Sequence, residues 1–288
     1  MASAREWIGG ARLRTLPAAV APVLVGTSMA APKPVWSNAL LALLVALALQ
    51  IGVNFSNDYS DGVRGTDSER IGPKRLVGSG AAPARSVLAV ALAFFALAAL
   101  VGLVLALRSS LWLILIGALS ILAAWGYTGG KNPYGYRGLG EISVFLFFGV
   151  IAVVGTYFVQ SEQLSLLAFY AAIPVGAQAC AILVINNLRD LNKDAAVDKK
   201  TLAVRIGEKR TRALFVCLLL GSNFLGIATA FSRPWTALTL LLLPFSTYLC
   251  IAVLKGAGGR DLIKILQRTA FFQLLFALIY AAGFVGSA

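Results

Sequence analysis

The chain has 288 residues, of which 59% are apolar and 13% are charged, and its formal net charge is +13. Charged residues approach a quarter of an ordinary soluble domain, so the composition excludes that class and predicts a polytopic membrane protein. The sequence contains no histidine, and its three cysteines lie singly in apolar runs. That pattern excludes a zinc site of the usual spacing and any nucleophile activated by histidine.

Nine apolar runs are long enough to cross a bilayer, whose hydrocarbon core of roughly 30 Å takes about 17 to 25 helical residues. They cover residues 15–31, 35–58, 84–107, 110–127, 139–160, 164–188, 211–231, 234–254 and 267–286. The first run is the weakest because Pro17 and Pro22 interrupt it. We therefore predict an all-α fold, with residues 1–288 forming one domain: a membrane bundle of nine transmembrane helices with cytoplasmic aspartate-rich loops.

The basic residues predict which helix ends face the cytoplasm. With nine spans and a cytoplasmic amino terminus, 22 of the 25 Lys and Arg residues fall in inner loops, and Lys33, Arg108 and Arg233 fall in outer ones. This bias is the positive-inside signal of a multi-pass protein of the cell membrane. It explains the basic surplus without a nucleic-acid partner, makes the lipid bilayer the expected surroundings, and puts the carboxyl terminus on the outer side.

A first group of acidic residues follows the second apolar run. NFSNDYSDGVRGTD, residues 54–67, contains Asn54, Asp58, Asp61 and Asp67. The first three occupy positions i, i+4 and i+7, which share one face of a helix. Two glycines after Asp61 are expected to end that helix and leave Asp67 on a loop.

A second group follows the sixth run. NNLRDLNKDAAVD, residues 186–198, contains Asn186, Asp190, Asp194 and Asp198, spaced by four. If the helix continues, these side chains form a row that extends from the membrane into the loop. Both groups begin with an Asn-x-x-x-Asp tetrad, which suggests a weak internal duplication.

Carboxylates at this spacing repel one another and are costly near the membrane unless positive charge compensates them. Carboxylate and amide oxygens without His or Cys fit a hard cation such as Mg²⁺, which commonly joins one or two carboxylates to substrate phosphates. Ordinary salt bridges in loops are the alternative. Their basic partners would be Arg64, Lys74, Arg75, Arg189, Lys193, Lys199 and Lys200.

The loop between the fourth and fifth runs, YTGGKNPYGYRGLGE at residues 127–141, lies on the same predicted face. Its glycines leave backbone amides accessible, and Lys131 offers a point charge suited to phosphate. A tight turn with interfacial tyrosines is the alternative interpretation. Arg14, at the inner end of the first run, fits a purely topological role best. Together these features predict a substrate with a diphosphate head and a long hydrocarbon tail.

At these residues the chain resembles the UbiA superfamily of intramembrane aromatic prenyltransferases, which carry two aspartate-rich motifs after the second and sixth of nine helices. The resemblance covers nearly the whole chain and is nearest to the branch that acts on 1,4-dihydroxy-2-naphthoate. In the broad superfamily the first motif usually spaces its acids as D-x-x-x-D, whereas this chain has Asp58-x-x-Asp61.

The resemblance implies a catalytic site that holds Mg²⁺, as two ions bridging the diphosphate of a polyprenyl diphosphate. The implied metal ligands are Asp58, Asp61, Asp67, Asp190, Asp194 and Asp198. It further implies that Lys131 binds diphosphate and that Tyr127 lies near the reacting carbon. The other candidates for binding the diphosphate are Asn54, Asn186, Arg14 and Arg64.

The implied reaction transfers the polyprenyl chain to the naphthoate ring with loss of diphosphate and CO₂, giving demethylmenaquinone. Aromatic faces at Tyr127, Phe147 or Phe148 could shield the allylic cation. Two alternatives stay open: another acceptor, either a different aromatic or a sugar phosphate, and a divalent-cation transporter, since intramembrane acids also line ion paths.

Overall fold

The computed structural model describes residues 2–66 and 75–288, and these residues form helices and their connections, which confirms the predicted all-α class. The first half contains α1 (Ala4–Gly10), α2 (Pro17–Ser28), α3 (Trp36–Val63), α4 (Ala84–Arg108) and α5 (Trp112–Gly126). Next, α6 (Gly140–Val144) runs through a π-helical stretch, Phe145–Ile151, into α7 (Ala152–Ser161). The last four are α8 (Leu166–Ala196), α9 (Leu202–Gly226), α10 (Leu243–Leu254) and α11 (Gly259–Gly286). Short 3₁₀ segments lie at Leu13–Thr15, Tyr134–Arg137, Ile227–Thr229 and Pro234–Leu242.

The length and apolarity of these helices make the chain a multi-pass membrane protein. Within the described ranges seven helices can cross a membrane, or eight if Ala4–Thr15 and Pro17–Ser28, which meet at 49°, form one span. Helix α5 has 15 residues, about 22 Å of helix, and is therefore shorter than the roughly 30 Å of hydrocarbon. The count of nine spans and the cytoplasmic side of the loops stay predictions.

Helices α3 and α8 are long enough to carry polar residues beyond the hydrocarbon. With 28 and 31 residues, they measure about 42 and 46 Å. Helix α3 ends at Val63 and Gly65 follows with φ +72°, as the glycines predicted. Helix α8 runs past the predicted end of its apolar run to Ala196, so its last two turns carry Asp190 and Asp194.

Helix α2 contacts both halves of the bundle, of which the first contains α3–α5 and the second contains α6–α11. It packs against α3 on one side and against α7, α8 and α11 on the other, and Ala21 and Val25 are fully buried in these contacts. Pro17 stands in its first turn, where the missing N–H has no intrahelical partner to lose. The acidic ends of α3 and α8 are thereby brought to one end of the bundle.

A glycine pair lets the π-helical stretch approach α8 closely. A methyl group on Gly149 would lie 2.7 Å from the Cα of Gly176, nearer than packed carbon atoms come. Backbone contact at this point places the preceding Phe147 and Phe148 on the wall of the cavity described next.

Candidate active site

A cavity of about 350 Å³ opens between the two halves of the bundle. Its polar end is lined by Asn57, Asp61, Tyr136, Asn186, Asp190, Lys193, Asp194 and Lys199. Away from that end the walls are largely apolar, with Val23, Leu49, Leu105, Ile116, Phe147, Phe148 and Val159 among the lining residues. The cavity thus joins a strongly charged chamber to a hydrophobic channel.

The acidic ends of α3 and α8 meet in the charged chamber. The Nζ of Lys199 lies 3.8 Å from a carboxylate oxygen of Asp61 and 3.8 Å from one of Asp194. Both carboxylates are largely shielded from solvent, with side-chain exposures of 5% and 10%. One aspartate from each motif therefore faces the other across a single ammonium group.

Tyr136 and Arg75 complete the surroundings of Asp61. The Tyr136 hydroxyl donates a hydrogen bond of 2.5 Å to Asp61, and the Arg75 guanidinium lies 4.0 Å from the same carboxylate. Burial, together with the negative charge of Asp61, raises the pKa of Tyr136. The hydroxyl consequently stays protonated and remains a donor to Asp61 over the physiological pH range.

Asp58 is not among the residues that line the cavity. It is 1% exposed, and its two carboxylate oxygens accept hydrogen bonds from the backbone N–H groups of Leu76 and Val77, at 2.9 and 3.0 Å. The carboxylate thus holds the segment that precedes α4 against the end of α3. Asp67, the third acid of this motif, lies outside the described residues.

In the second motif Asp190 has a close partner in Arg189. The Arg189 guanidinium donates to both oxygens of Asp190 and, at 2.9 Å, to the side-chain oxygen of Asn186. Asp190 and Asn186 both line the cavity. Asp198 lies beyond the end of α8, where its side chain is 84% exposed and pairs with Lys200 at 3.1 Å.

Asn54 fastens the amino-terminal segment over the chamber. Its side-chain amide donates to the carbonyl of Ala11 at 2.9 Å and to the hydroxyl of Thr15 at 3.4 Å. Arg12 donates to the backbone carbonyl of Asn54 at 3.2 Å and lines the cavity. Arg14 instead turns toward the side chain of Gln267 on α11, so the structure puts Arg12 at the site and Arg14 beside it.

The loop after α5 contributes Tyr127 to the cavity wall, whereas Lys131 is exposed and lies outside the lining residues. Arg64, at the end of α3, donates to the carbonyls of Thr128 and Gly130 and lies over the ring of Tyr136. Arg64 therefore holds this loop to α3. The hydroxyl of Thr128 donates to the side chain of Asn57 at 2.7 Å, a second tie between the two.

Residues 19–284 match the UbiA prenyltransferase family. The chain belongs to this family. A 1,4-dihydroxy-2-naphthoate octaprenyltransferase of Mycobacterium tuberculosis is 50% identical over 283 residues, which cover 98% of this chain and 97% of the relative. A 1,4-dihydroxy-2-naphthoate octaprenyltransferase of Escherichia coli is 37% identical over 295 residues, covering 97% and 94%.

Among solved structures, a UbiA homolog from Archaeoglobus fulgidus bound to GPP and Mg²⁺ is similar to this chain. The TM-score is 0.73 at 15% identity, and the match covers 98% of this chain and 99% of that chain. At this level of identity the likeness shows the shared UbiA fold. The resemblance seen in the sequence motifs is thus confirmed at the level of family and fold.

The acidic chamber of this UbiA protein offers oxygen ligands of the kind that Mg²⁺ takes in proteins. No cluster of three or more acidic or sulfur ligands stands ready within residues 2–66 and 75–288. Asp61 and Asp194 do face each other, and the carboxylate and amide side chains around them offer oxygen atoms as metal ligands. Mg²⁺ commonly takes one or two carboxylates together with waters and substrate phosphates. The residues therefore fit Mg²⁺ in a site that a diphosphate completes.

Sequence reasoning did not assign a binding role to several cations of the UbiA site. Lys193 and Lys199 were counted as salt-bridge partners in loops, yet both line the cavity. The Nζ of Lys193 is shielded from solvent and has no hydrogen-bond partner within the described residues. A usable signal was its position three residues after Asp190, because on a continuing α8 that spacing puts it on the cavity face.

Proposed function

We propose that the protein transfers a polyprenyl chain from polyprenyl diphosphate to 1,4-dihydroxy-2-naphthoate, with release of diphosphate and CO₂. The observation that carries this proposal is the facing pair Asp61 and Asp194 at the charged end of an otherwise largely apolar cavity. A substrate with a diphosphate head and a hydrocarbon tail needs these two environments side by side. The printed function of the naphthoate relatives supports the choice of donor and acceptor.

In this proposal Asp61, Asp190 and Asp194 would hold Mg²⁺, as two ions, through carboxylate oxygens. Mg²⁺ bound there supplies positive charge to the oxygens of the leaving diphosphate. Arg189 fixes the orientation of Asp190 through its forked contact. Tyr136 does the same for Asp61 through its hydroxyl.

The basic residues of the chamber bind the remaining phosphate oxygens. Lys193, Arg75 and Arg12 line the same cavity as the acids. A buried ammonium group without a hydrogen-bond acceptor is costly, so the Nζ of Lys193 gains most from an incoming phosphate oxygen. Lys131 lies on the exposed loop, outside the cavity lining. In this proposal its positive charge attracts the diphosphate toward the cavity.

The apolar part of the cavity receives the tail and protects the reacting carbon. The allylic C–O bond breaks with its electron pair going to the diphosphate. Tyr127, Phe147 and Phe148 line the cavity and offer aromatic faces to the resulting cation. Walls of this kind exclude water that would otherwise capture the cation as an alcohol.

The acceptor supplies its own nucleophile. An electron-rich ring carbon forms the new C–C bond to the allylic carbon, and the same carbon then loses its carboxylate as CO₂. The electron pair of that broken bond restores the aromatic ring, giving demethylmenaquinone in its reduced form. This sequence uses no histidine base, in agreement with a chain that contains none.

We further propose nine spans, with the amino terminus and the charged chamber on the cytoplasmic side and the carboxyl terminus outside. The distribution of Lys and Arg supports this orientation. Single cysteines placed at Lys209 and at Ser287 of a variant without native cysteines test it, because a membrane-impermeant thiol reagent should label only Ser287→Cys in intact cells. Labelling of Lys209→Cys alone would show that the orientation is the opposite of the one proposed.

The proposed reaction is tested by incubating the purified protein with Mg²⁺, a labelled polyprenyl diphosphate and several acceptors. The expected result is a prenylated, decarboxylated naphthalene product, identified by mass, that disappears when EDTA removes the metal. A prenylated product formed from another aromatic or from a sugar phosphate would show that the protein uses that class of acceptor. Mg²⁺ or Mn²⁺ flux into proteoliposomes without any prenyl substrate would favour the transporter.

A further inference from the structure

Lys199 is fixed in the chamber by the way α8 ends. Asp198 follows the helix in the left-handed conformation, with φ 56°. Its N–H donates to the carbonyl of Ala195 at 3.3 Å, and the N–H of Lys199 donates back to the carbonyl of Asp194 at 2.8 Å. These two bonds form a Schellman motif, in which aspartate takes the left-handed position usually given to glycine. The motif returns the backbone of Lys199 to the last turn of α8.

The same turn explains where the side chain of Lys199 goes. A Schellman motif brings the residue after the left-handed position close to the side chain near the start of the last helical turn, and this contact is frequently hydrophobic. Here those two residues are Lys199 and Asp194, and their contact is an ion pair of 3.8 Å. The ammonium group also lies 4.8 Å from the centre of the Tyr136 ring and 3.8 Å from Asp61. It is therefore held from both halves of the bundle.

A divalent cation and Lys199 need the same place. A metal that joins the carboxylates of Asp61 and Asp194 has to enter the space between them, which the ammonium group occupies. Both cations are attracted to the same pair of carboxylates and repel each other. Binding of the metal must therefore move Lys199 or work against its charge.

We propose that Lys199 is a resident counter-ion of the two motifs, which keeps divalent metal weakly bound until a diphosphate arrives to accept the displaced ammonium group. The inference rests on the proposed function for the identity of the diphosphate. With Lys199 in this position, metal and diphosphate bind cooperatively. The metal displaces the Lys199 ammonium group from the two carboxylates, and the diphosphate accepts the displaced ammonium group, so each makes binding of the other more favourable. Lys199 is a positioning residue in this scheme, which assigns it no part in breaking the allylic bond.

The test measures Mn²⁺ binding to purified protein from the free-ion electron paramagnetic resonance signal, with and without inorganic pyrophosphate. Lys199→Met should bind Mn²⁺ alone about tenfold or more tightly than the unaltered chain, because a positive charge next to the ion is gone. Pyrophosphate should strengthen Mn²⁺ binding less in this variant than in the unaltered chain. The matched control is Lys200→Met, whose side chain is 61% exposed and pairs with the exposed Asp198; its Mn²⁺ affinity should not change.

Two further variants separate this role from a merely structural one. Lys199→Arg keeps the charge and should keep the weak Mn²⁺ binding. Adding Asp61→Asn to Lys199→Met should abolish the gain, which locates the added Mn²⁺ between the motifs. A folded Lys199→Met protein with unchanged or weaker Mn²⁺ affinity overturns the proposal. The Mn²⁺ experiment does not measure prenyl transfer. If the reaction assay failed, the expected ratios between the Mn²⁺ affinities of the variants would be unaffected, so the two failures can be told apart.

Discussion

The two acidic helix ends, on α3 and on α8, divide their aspartates in the same way. At each end the first acid has a strong local partner: Asp58 accepts from the backbone of residues 76 and 77, and Asp190 is held by the fork of Arg189. The acid that follows, Asp61 or Asp194, faces the opposite helix across Lys199. The first acid organises its own surroundings and the second reaches across the interface.

The two ends differ in what the first acid holds. Asp58 binds backbone of its own half and lies outside the cavity lining, whereas Asp190 is turned into the cavity. The aspartates of one motif therefore differ in their surroundings. Substitutions at matched positions of α3 and α8 should separate structural from functional carboxylates.

The facing pair should be the most sensitive. Asp61→Asn and Asp194→Asn each remove a carboxylate that we propose as a metal ligand. We expect product formation to fall by about a thousandfold or more, since a lost charge contact in the transition state commonly costs several kcal/mol. Initial rates with saturating Mg²⁺ measure this. Asp198→Asn is the control, because asparagine tolerates the left-handed conformation equally well; a comparable loss there would contradict the assigned roles.

Asp58→Asn should act mainly on stability. Replacing one carboxylate oxygen by an NH₂ group leaves the N–H of Leu76 or Val77 without its acceptor, and we expect a loss of about 1–3 kcal/mol. Thermal unfolding in detergent measures it as a lower Tm. Asp61→Asn should instead act mainly on activity, through the lost carboxylate of the facing pair. A loss of product formation in folded Asp58→Asn as large as that in Asp61→Asn would remove the distinction drawn between them.

Two lysines can be compared in their effect on the prenyl donor. Lys193→Met removes an ammonium group that lines the cavity, and we expect the KM for polyprenyl diphosphate to rise about tenfold, as for one lost charge-assisted contact. Lys131→Met, on the exposed loop, should raise it by a smaller factor. Steady-state kinetics over a range of donor concentrations decide this, and the reverse order would return the main diphosphate role to Lys131.

The smallest effect is expected at Tyr136→Phe. The variant removes the hydrogen bond to Asp61 but keeps the ring beneath Lys199, so activity should fall several-fold, the amount that one hydrogen bond of about 1 kcal/mol represents. The activity ratio to the unaltered chain should be constant between pH 6 and 8, because the raised pKa keeps the Tyr136 hydroxyl protonated throughout. A ratio that changes in that interval would mean that the hydroxyl ionises there.

Periodicity and apolar length were enough to predict the helical class and the approximate position of each apolar helix. They also indicated that the ends of α3 and α8 carry the site, because acids at four-residue spacing are costly in such a chain. What they could not predict is which acid turns inward. That choice depends on contacts distant in sequence, such as the N–H groups of Leu76 and Val77 that take Asp58 away.

The same limit applies to the basic residues. Arg12 and Arg14 are separated by two positions, and a left-handed residue at Arg12, with φ 52°, decides which of them lines the cavity. Lys199 owes its position to the Schellman turn at Asp198, which sequence reasoning had counted among the metal ligands. Turn geometry of this kind is set by a single backbone conformation and leaves little trace in composition or spacing.

Helix α5 is part of the cavity wall and, at about 22 Å, is shorter than the roughly 30 Å of bilayer hydrocarbon. If α5 crosses the membrane, as the count of nine spans requires, lipid next to it has to thin, or the loop that follows has to lie beneath the headgroups. The thickness of the surrounding membrane should then influence how readily hydrophobic substrates move from the lipid into the helix bundle.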